Sequence, residues 1–255
     1  MRHGGMDMGI GPTQLRPDLR TASRVLVVAP HQDDATIGAG ATLADLASGG
    51  ARVVVVDITN GDKGSIDPEQ SPPELAAIRQ DEERAATAIL GLNEVRFLDF
   101  PDFAWLDERA VTLGILREIR LEKPDALFFP DPWLPDEGHP DHRTVGLAAA
   151  AALVAAGLPH VLPEAGPAVS SPFAVMYATG RPNLFWPAGA FWERKRAALQ
   201  AHQSQFTGAL VDLLMAYWAE QSASWKGGKG PKEAFRLVSA LLMHMAPQIE
   251  IGKDD

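Results

Sequence analysis

Near-continuous runs of Val, Ile, Leu and Phe alternate with longer amphipathic stretches from residue 24 onward, and this alternation restricts the possible folds most. The apolar runs fall at 24–29, 52–58, 95–99, 126–130 and 173–178. Helical patterns lie between them at 36–49, 75–90, 108–121 and 142–156. A strand that is apolar at nearly every position must bury both faces, as strands of a parallel sheet do when helices cover both sides. Strand–helix–strand repetition builds right-handed crossovers. The expected fold is α/β: a Rossmann-like, doubly wound, mostly parallel sheet with helices on both faces.

The pattern loosens after residue 157, where prolines recur at 159, 163, 167, 172, 182 and 187. Helical stretches follow at about 190–205, 208–224 and 231–243. Residues 158–255 are therefore expected to form an α-rich cap or lid on one domain spanning 21–255. Residues 1–20, rich in Gly, Met and Pro, are expected to be a flexible N-terminal segment. Helix 75–90 has clear punctuation: Ser71 as N-cap, Pro72 in the first turn, Glu74 three after the cap, and Gly91 as the stop. Within it, Arg79 has Glu82 and Glu83 at i+3 and i+4, the pattern of a surface pair worth about 0.3–0.5 kcal/mol.

The chain has 255 residues, of which 46% are hydrophobic, enough for a sizeable core. It has no cysteine, so a metal must be held by His, Asp or Glu. A net charge of −10 disfavours nucleic acid as a partner, and no basic stripe offsets it. Lys226 and Lys229 lie in a Gly-rich stretch that reads as a solvated connection. No apolar run is long enough for a membrane span, and no secretory leader is visible, so a cytoplasmic location is expected. A homo-oligomer is left open.

The chemistry-bearing residues sit where the strands end. Strand 24–29 empties into His31-Gln32-Asp33-Asp34, and strand 126–130 leads through Asp131 and Trp133 to His139-Pro140-Asp141-His142. Strand 52–58 leads to Asn60-Gly61-Asp62-Lys63, and strand 95–99 to Pro101-Asp102. In an open α/β sheet, ligands bind outside the carboxyl ends of the strands, and all four polar loops fall on that edge. His31, Asp34 and His142 meet the count of a three-ligand zinc site that leaves a position for water, whose pKa then drops to about 7. Asp33 is placed to act as the base. His139 can stabilise an oxyanion or protonate a leaving amine, and Asp141 can orient that imidazole.

Simpler roles compete. Asp33, Asp34 or Asp141 would each serve as a helix N-cap, and Asn60-Gly61 is ordinary turn chemistry. His202 reads as a helix-surface or interface histidine. The tryptophans read as core or rim, with Trp133 the exception because it shares the His139 loop. Gly38 and Gly40, followed by Asp57 at a strand end, imitate a dinucleotide-binding unit, but the third glycine is Leu43 and the glycines come too late after the strand. They fit close helix–sheet packing better.

The segment Pro30-His31-Gln32-Asp33-Asp34-Ala35 resembles the Pro-His-Pro-Asp-Asp-Glu signature of the PIG-L (LmbE-like) zinc-dependent de-N-acetylases. His139-Pro140-Asp141-His142 resembles that family's second signature. Residues 59–64, Arg79 with Glu82, Pro101-Asp102 and residues 195–205 are similar to further family segments in the same order. The resemblance implies a hydrolase that removes the N-acetyl group of an N-acetylglucosamine-type sugar. It implies Zn2+, or another divalent ion such as Fe2+, on His31, Asp34 and His142, with Asp33 as base and His139 as electrostatic and acid partner. It makes Asp62, Arg79 and Asp102 candidates for sugar contacts, beside Trp133. Two departures stand out: Gln32 in place of proline should loosen the turn, and Ala35 in place of glutamate removes a nearby carboxylate. The alternatives are a non-catalytic sugar- or metal-binding protein on the same scaffold, or a zinc amidase for a non-sugar amide.

Overall fold

The computed structural model describes residues 17–244. The first strand, β1 (Arg24–Ala29), sends Val25, Val27 and Ala29 to one apolar layer and Leu26 and Val28 to the other. Both layers are covered, which is why the run needs no polar alternation. Then follow α1 (Asp34–Ser48), β2 (Arg52–Thr59), α2 (Pro72–Leu90), β3 (Glu94–Phe100), α3 (Glu108–Glu122), β4 (Ala126–Pro130) and α4 (Pro140–Ala155). Next come β5 (Phe173–Tyr177), β6 (Leu184–Pro187), α5 (Trp192–Ala201), α6 (Gly208–Ala223), β7 (Lys232–Val238) and α7 (Ala240–His244).

The sheet order is β3-β2-β1-β4-β5-β7-β6. Strands β1 to β5 are parallel, while β7 runs antiparallel to β5 and β6 antiparallel to β7. Helices α1, α2 and α5 cover one face, where Leu43, Leu90, Phe128 and Ala198 pack. Helices α3 and α4 cover the other with Ile115, Leu116, Ile119, Val145 and Leu153. From β1 the chain winds outward through β2 and β3, then returns to place β4 on the other side of β1. That reversal opens a crevice at the carboxyl ends of β1 and β4. Gly38 lets α1 approach the sheet: a Cβ there would overlap the Tyr177 ring. Gly38 and Gly40 thus serve packing within a helix, not a strand–helix turn.

Three expectations change. Residues 158–244 are more than an α-rich cap, because they add β5, β6 and β7 to the sheet. The stretch 231–243 splits into β7 and the short α7, since the open edge of β5 pairs with β7 through Ala174↔Val238 and Met176↔Arg236. A short apolar run cannot be assigned by periodicity alone, and sheet pairing decides it. Of the flexible segment expected at 1–20, residues 1–16 lie outside the described residues. Leu19–Thr21 forms a single 3-10 turn with Leu19 buried in the same apolar layer as Val25 and Val27, so these residues are part of the packed domain.

Candidate active site

The loop between β1 and α1 carries the main strain of the site. Asp33 occupies the N-cap position of α1 with φ 106° and ψ −31°, yet its carboxylate makes no capping bond. A non-glycine residue holds such a backbone only when its surroundings enforce it. Here the enforcement comes from α2 and β2. The Arg79 guanidinium donates to the Gln32 carbonyl at 2.9 Å, to the Gly61 carbonyl at 3.1 Å and to Asp33 Oδ2 at 3.4 Å. The Asp33 N–H donates to Glu83 Oε2 at 3.3 Å. Gln32 Nε2 donates to the Thr59 carbonyl at 2.8 Å, so this side chain ties the turn to β2 and does not loosen it. Gly61, at φ 64°, is packed so tightly that a Cβ would collide with Gln32 and Arg79. Ala35 is buried in the apolar layer between α1 and the sheet.

The structure brings His31, Asp34 and His142 together. Asp34 Oδ2 lies 3.3 Å from His31 Nδ1 and 3.3 Å from His142 Nε2. These three donor atoms all lie within 4.8 Å of one another. Each imidazole has its remaining nitrogen on a carboxylate, the arrangement that fixes tautomer and ring orientation in metal-binding histidines. His142 Nδ1 meets Glu137 Oε2 at 2.9 Å. His31 Nε2 meets Asp102 Oδ1 at 3.1 Å and Asp141 Oδ2 at 3.5 Å.

Charge at this edge is unbalanced. Burial opposes ionisation of His31, but bonds to Asp102, Asp141 and Asp34 outweigh it and push the imidazole up to about 12. His142 also rises, to about 9, because the Asp34 carboxylate overcomes burial. Burial likewise disfavours the Asp34 carboxylate, yet the two imidazoles hold it below the usual range. Carboxylates therefore converge on a point that demands positive charge. Two imidazoles and a carboxylate offering N and O atoms suit a divalent ion, so the residues fit the metal that the sequence motifs imply. Beside them, burial and the neighbouring Asp34 charge push Asp33 up to about 7, against the pull of Arg79.

His139 caps α4 by accepting the Asp141 N–H at 3.3 Å, while its own N–H donates to Glu137 Oε1 at 2.7 Å. Its ring lies 4.7 Å from that of His31 and 5.0 Å from that of His142. Burial, then the two neighbouring imidazoles, lower its pKa and favour the neutral ring. The expected support of His139 by the Asp141 carboxylate is not what forms. That carboxylate accepts the Phe103 N–H at 2.8 Å and faces His31. Sequence adjacency suggested one imidazole, and the first helical turn aims the side chain at the other.

The expected sugar contacts fall in different places. Arg79 is buried beneath the Asp33 turn and forms no surface pair with Glu82 or Glu83. Glu82 instead accepts from Ser204 at 2.6 Å, and Glu83 is buried. Asp102 backs His31. Asp62 meets Lys63 Nζ at 3.2 Å at the partly open rim. Trp133 lines a cavity of about 490 Å³ with Met176, Arg181 and Arg236, and none of the three converging residues lines it.

Asp57, Glu83 and His202, which the sequence suggests for other roles, form a buried layer behind the site. Both Asp57 oxygens lack a hydrogen-bond partner, and burial, then Glu83, pushes its carboxyl well above the usual range. Burial and the Asp33 charge push Glu83 up to about 8. His202 is buried rather than exposed, 3.6 Å from Glu83 Oε2, and burial followed by Arg79 lowers it to about 4. Glu137, in the same loop as His139, was the one partner within reach of a sequence argument.

A crevice at a switch point, a converging His-Asp-His set and an adjacent carboxylate define a hydrolase that works on the edge of an α/β sheet. The family model for GlcNAc-PI de-N-acetylase (PIG-L) matches residues 26–153. A diacetylchitobiose deacetylase from Thermococcus kodakarensis is 35% identical over 88% of this chain and 86% of its own length. A 1D-myo-inositol 2-acetamido-2-deoxy-alpha-D-glucopyranoside deacetylase from Kineococcus radiotolerans is 32% identical over 52% of this chain and 45% of its own. The structure of the N,N'-diacetylchitobiose deacetylase from Pyrococcus horikoshii superposes with a TM-score of 0.84 at 33% identity, covering 91% of this chain and 90% of that one. The chain belongs to the PIG-L family of deacetylases. Among the described residues, no helix is long and apolar enough to cross a membrane.

Proposed function

We propose that this protein removes an N-acetyl group from an N-acetylglucosamine unit of a short chito-oligosaccharide, with a divalent ion, zinc in preference to ferrous iron, on His31, Asp34 and His142. The observation that carries this reading is the convergence of those three donors with Asp33 beside them. The diacetylchitobiose deacetylases from Thermococcus kodakarensis and Pyrococcus horikoshii, matched along most of the chain, support the choice of sugar. A divalent ion there supplies Lewis acidity, which acidifies a water and polarises the amide carbonyl.

The residues of the chain do the rest. Asp33, held at about 7 by burial and Asp34, accepts the proton of the attacking water near neutral pH and returns it to the departing nitrogen. His139 faces the negative charge that develops on the amide oxygen. Asp102, Asp141 and Glu137 hold the two ligand imidazoles in orientation. Arg79 and Glu83 keep the Asp33 turn in its strained shape rather than touching sugar.

The test is acetate release from a panel of acetylated amino sugars and simple N-acetyl amino acids, with and without a chelator. Release from N-acetylglucosamine-containing sugars that stops with chelator and returns with zinc is expected. Release unaffected by chelator, or confined to the amino acids, contradicts the proposal.

A further inference from the structure

The segment from Asp99 to Trp105 joins three features that packing alone does not explain. Asp99, Phe103 and Trp105 hold φ of 54°, 54° and 50°, a left-handed conformation that non-glycine residues adopt only when held there. The root of the segment is pinned to the site. Asp102 meets His31 at 3.1 Å, Lys63 donates to Asp102 through its N–H at 3.2 Å and its ammonium at 2.9 Å, and the Phe103 N–H donates to Asp141. Its tip, by contrast, is aromatic and open. The Phe103 ring stands edge-on to His139 at 4.8 Å, and Trp105 stands edge-on to Phe103 at 5.7 Å. Phe103 is 44% exposed and Trp105 76% exposed. An indole so open gains almost nothing from burial, so the core does not account for it.

We propose that Phe103 and Trp105 form a platform for the pyranose ring that adjoins the acetylated unit. The inference rests on the deacetylase reading above. With the acetamido group at the ligand cluster, a unit attached to that sugar on the Phe103 side passes the aromatic wall beside His139. The C–H face of a pyranose is apolar and slightly positive, and matches the negative face of an indole. Surrounding carboxylates, Asp102 and Asp141 among them, and the net charge of −10 disfavour an anionic extension at this wall. A neutral or amino sugar fits.

The experiment compares kcat/KM for N-acetylglucosamine and its β-linked disaccharide in the wild type and in Trp105→Ala and Trp105→Phe. Trp105→Ala is expected to lower the disaccharide-to-monosaccharide ratio about tenfold, mainly through KM, and Trp105→Phe to restore most of it. An unchanged ratio, or equal losses on both substrates, overturns the platform while leaving the deacetylase reading intact. A change of oligomeric state in Trp105→Ala with an unchanged ratio assigns the indole to a second copy of the chain and also overturns it. If the wild type hydrolyses neither sugar, the underlying reading fails and the platform with it.

Discussion

The two ends of the central sheet treat charge in opposite ways. Where the strands begin, glutamates and arginines form a paired network. Arg52 meets Glu94 at 2.9 Å and Glu122 at 3.1 Å, Arg24 reaches Glu122, and Arg96 bridges Glu94, Glu118 and Glu122. Where the strands end, Asp33, Asp34, Asp57, Glu83, Asp102 and Asp141 are buried against Arg79 and the imidazoles of the site. Two oxygens of Asp57 and one of Asp141 have no hydrogen-bond partner, and Asp33 holds a strained backbone. The first end is arranged for stability. The second crowds buried acids until Asp57 and Glu83 are pushed toward their protonated forms, beside the proposed metal and substrate site, the usual place for local rules to be broken.

The largest break in this comparison should come from Asp33→Asn. Turnover of an acetylated amino sugar is expected to fall about 10²–10⁴-fold with the metal retained, because the base alone is lost. Metal lost together with activity would show that Asp33 is a ligand. Next in size, Glu137→Gln removes the carboxylate behind His142 and should weaken zinc affinity about 10–100-fold in a competition titration. Unaltered affinity would mean that His142 needs no such support.

The two ends should also respond oppositely to pH. Glu83 is raised to about 8, so the folded state binds a proton that the unfolded chain has released. Its contribution therefore worsens as pH climbs from the ordinary glutamate range through about 8. Glu83→Gln, which still offers an acceptor to the Asp33 N–H, should gain stability relative to wild type at pH 8 but not at pH 4. Thermal melts at the two values measure this, and an equal shift at both would contradict it. The smallest effect belongs to the other end. Arg96, with Arg52, lowers Glu94 and, against its burial, Glu122, so those pairs stabilise above the ordinary carboxylate range and lose that effect as pH falls through the lowered values. Arg96→Met should cost about 1 kcal/mol or less at pH 7 and progressively less below pH 4. A loss that grows on acidification would reverse the assigned sign.

What the sequence made legible follows this same divide. β1 and β4 were readable to the residue, because strands buried on both faces have no polar interruptions. That His31, Asp34 and His142 would meet was legible because His31 and Asp34 directly follow β1, while the polar loop after the neighbouring β4 leads into the first turn of the helix that carries His142. Arg79 and Glu83 were misread because i, i+4 charge spacing looks the same on a solvated helix as on one roofed by a loop from β1. Only tertiary packing tells the two apart. Asp57 stood out in the sequence only as the end of a false dinucleotide-binding pattern, since its burial behind the site depends on tertiary packing, and the partner of Asp141 depends on a side-chain direction that adjacency does not specify. β7 was hidden because its pattern suits a helix until β5 offers an edge.

The central claim is that the surplus of carboxylates at the strand ends holds one divalent ion through His31, Asp34 and His142. Metal content per chain, measured on wild type and on His142→Ala after exhaustive dialysis, tests it most directly. The account predicts about one zinc per chain in the wild type and a sharp loss in the variant. Equal metal content in both, with both proteins folded, would contradict it.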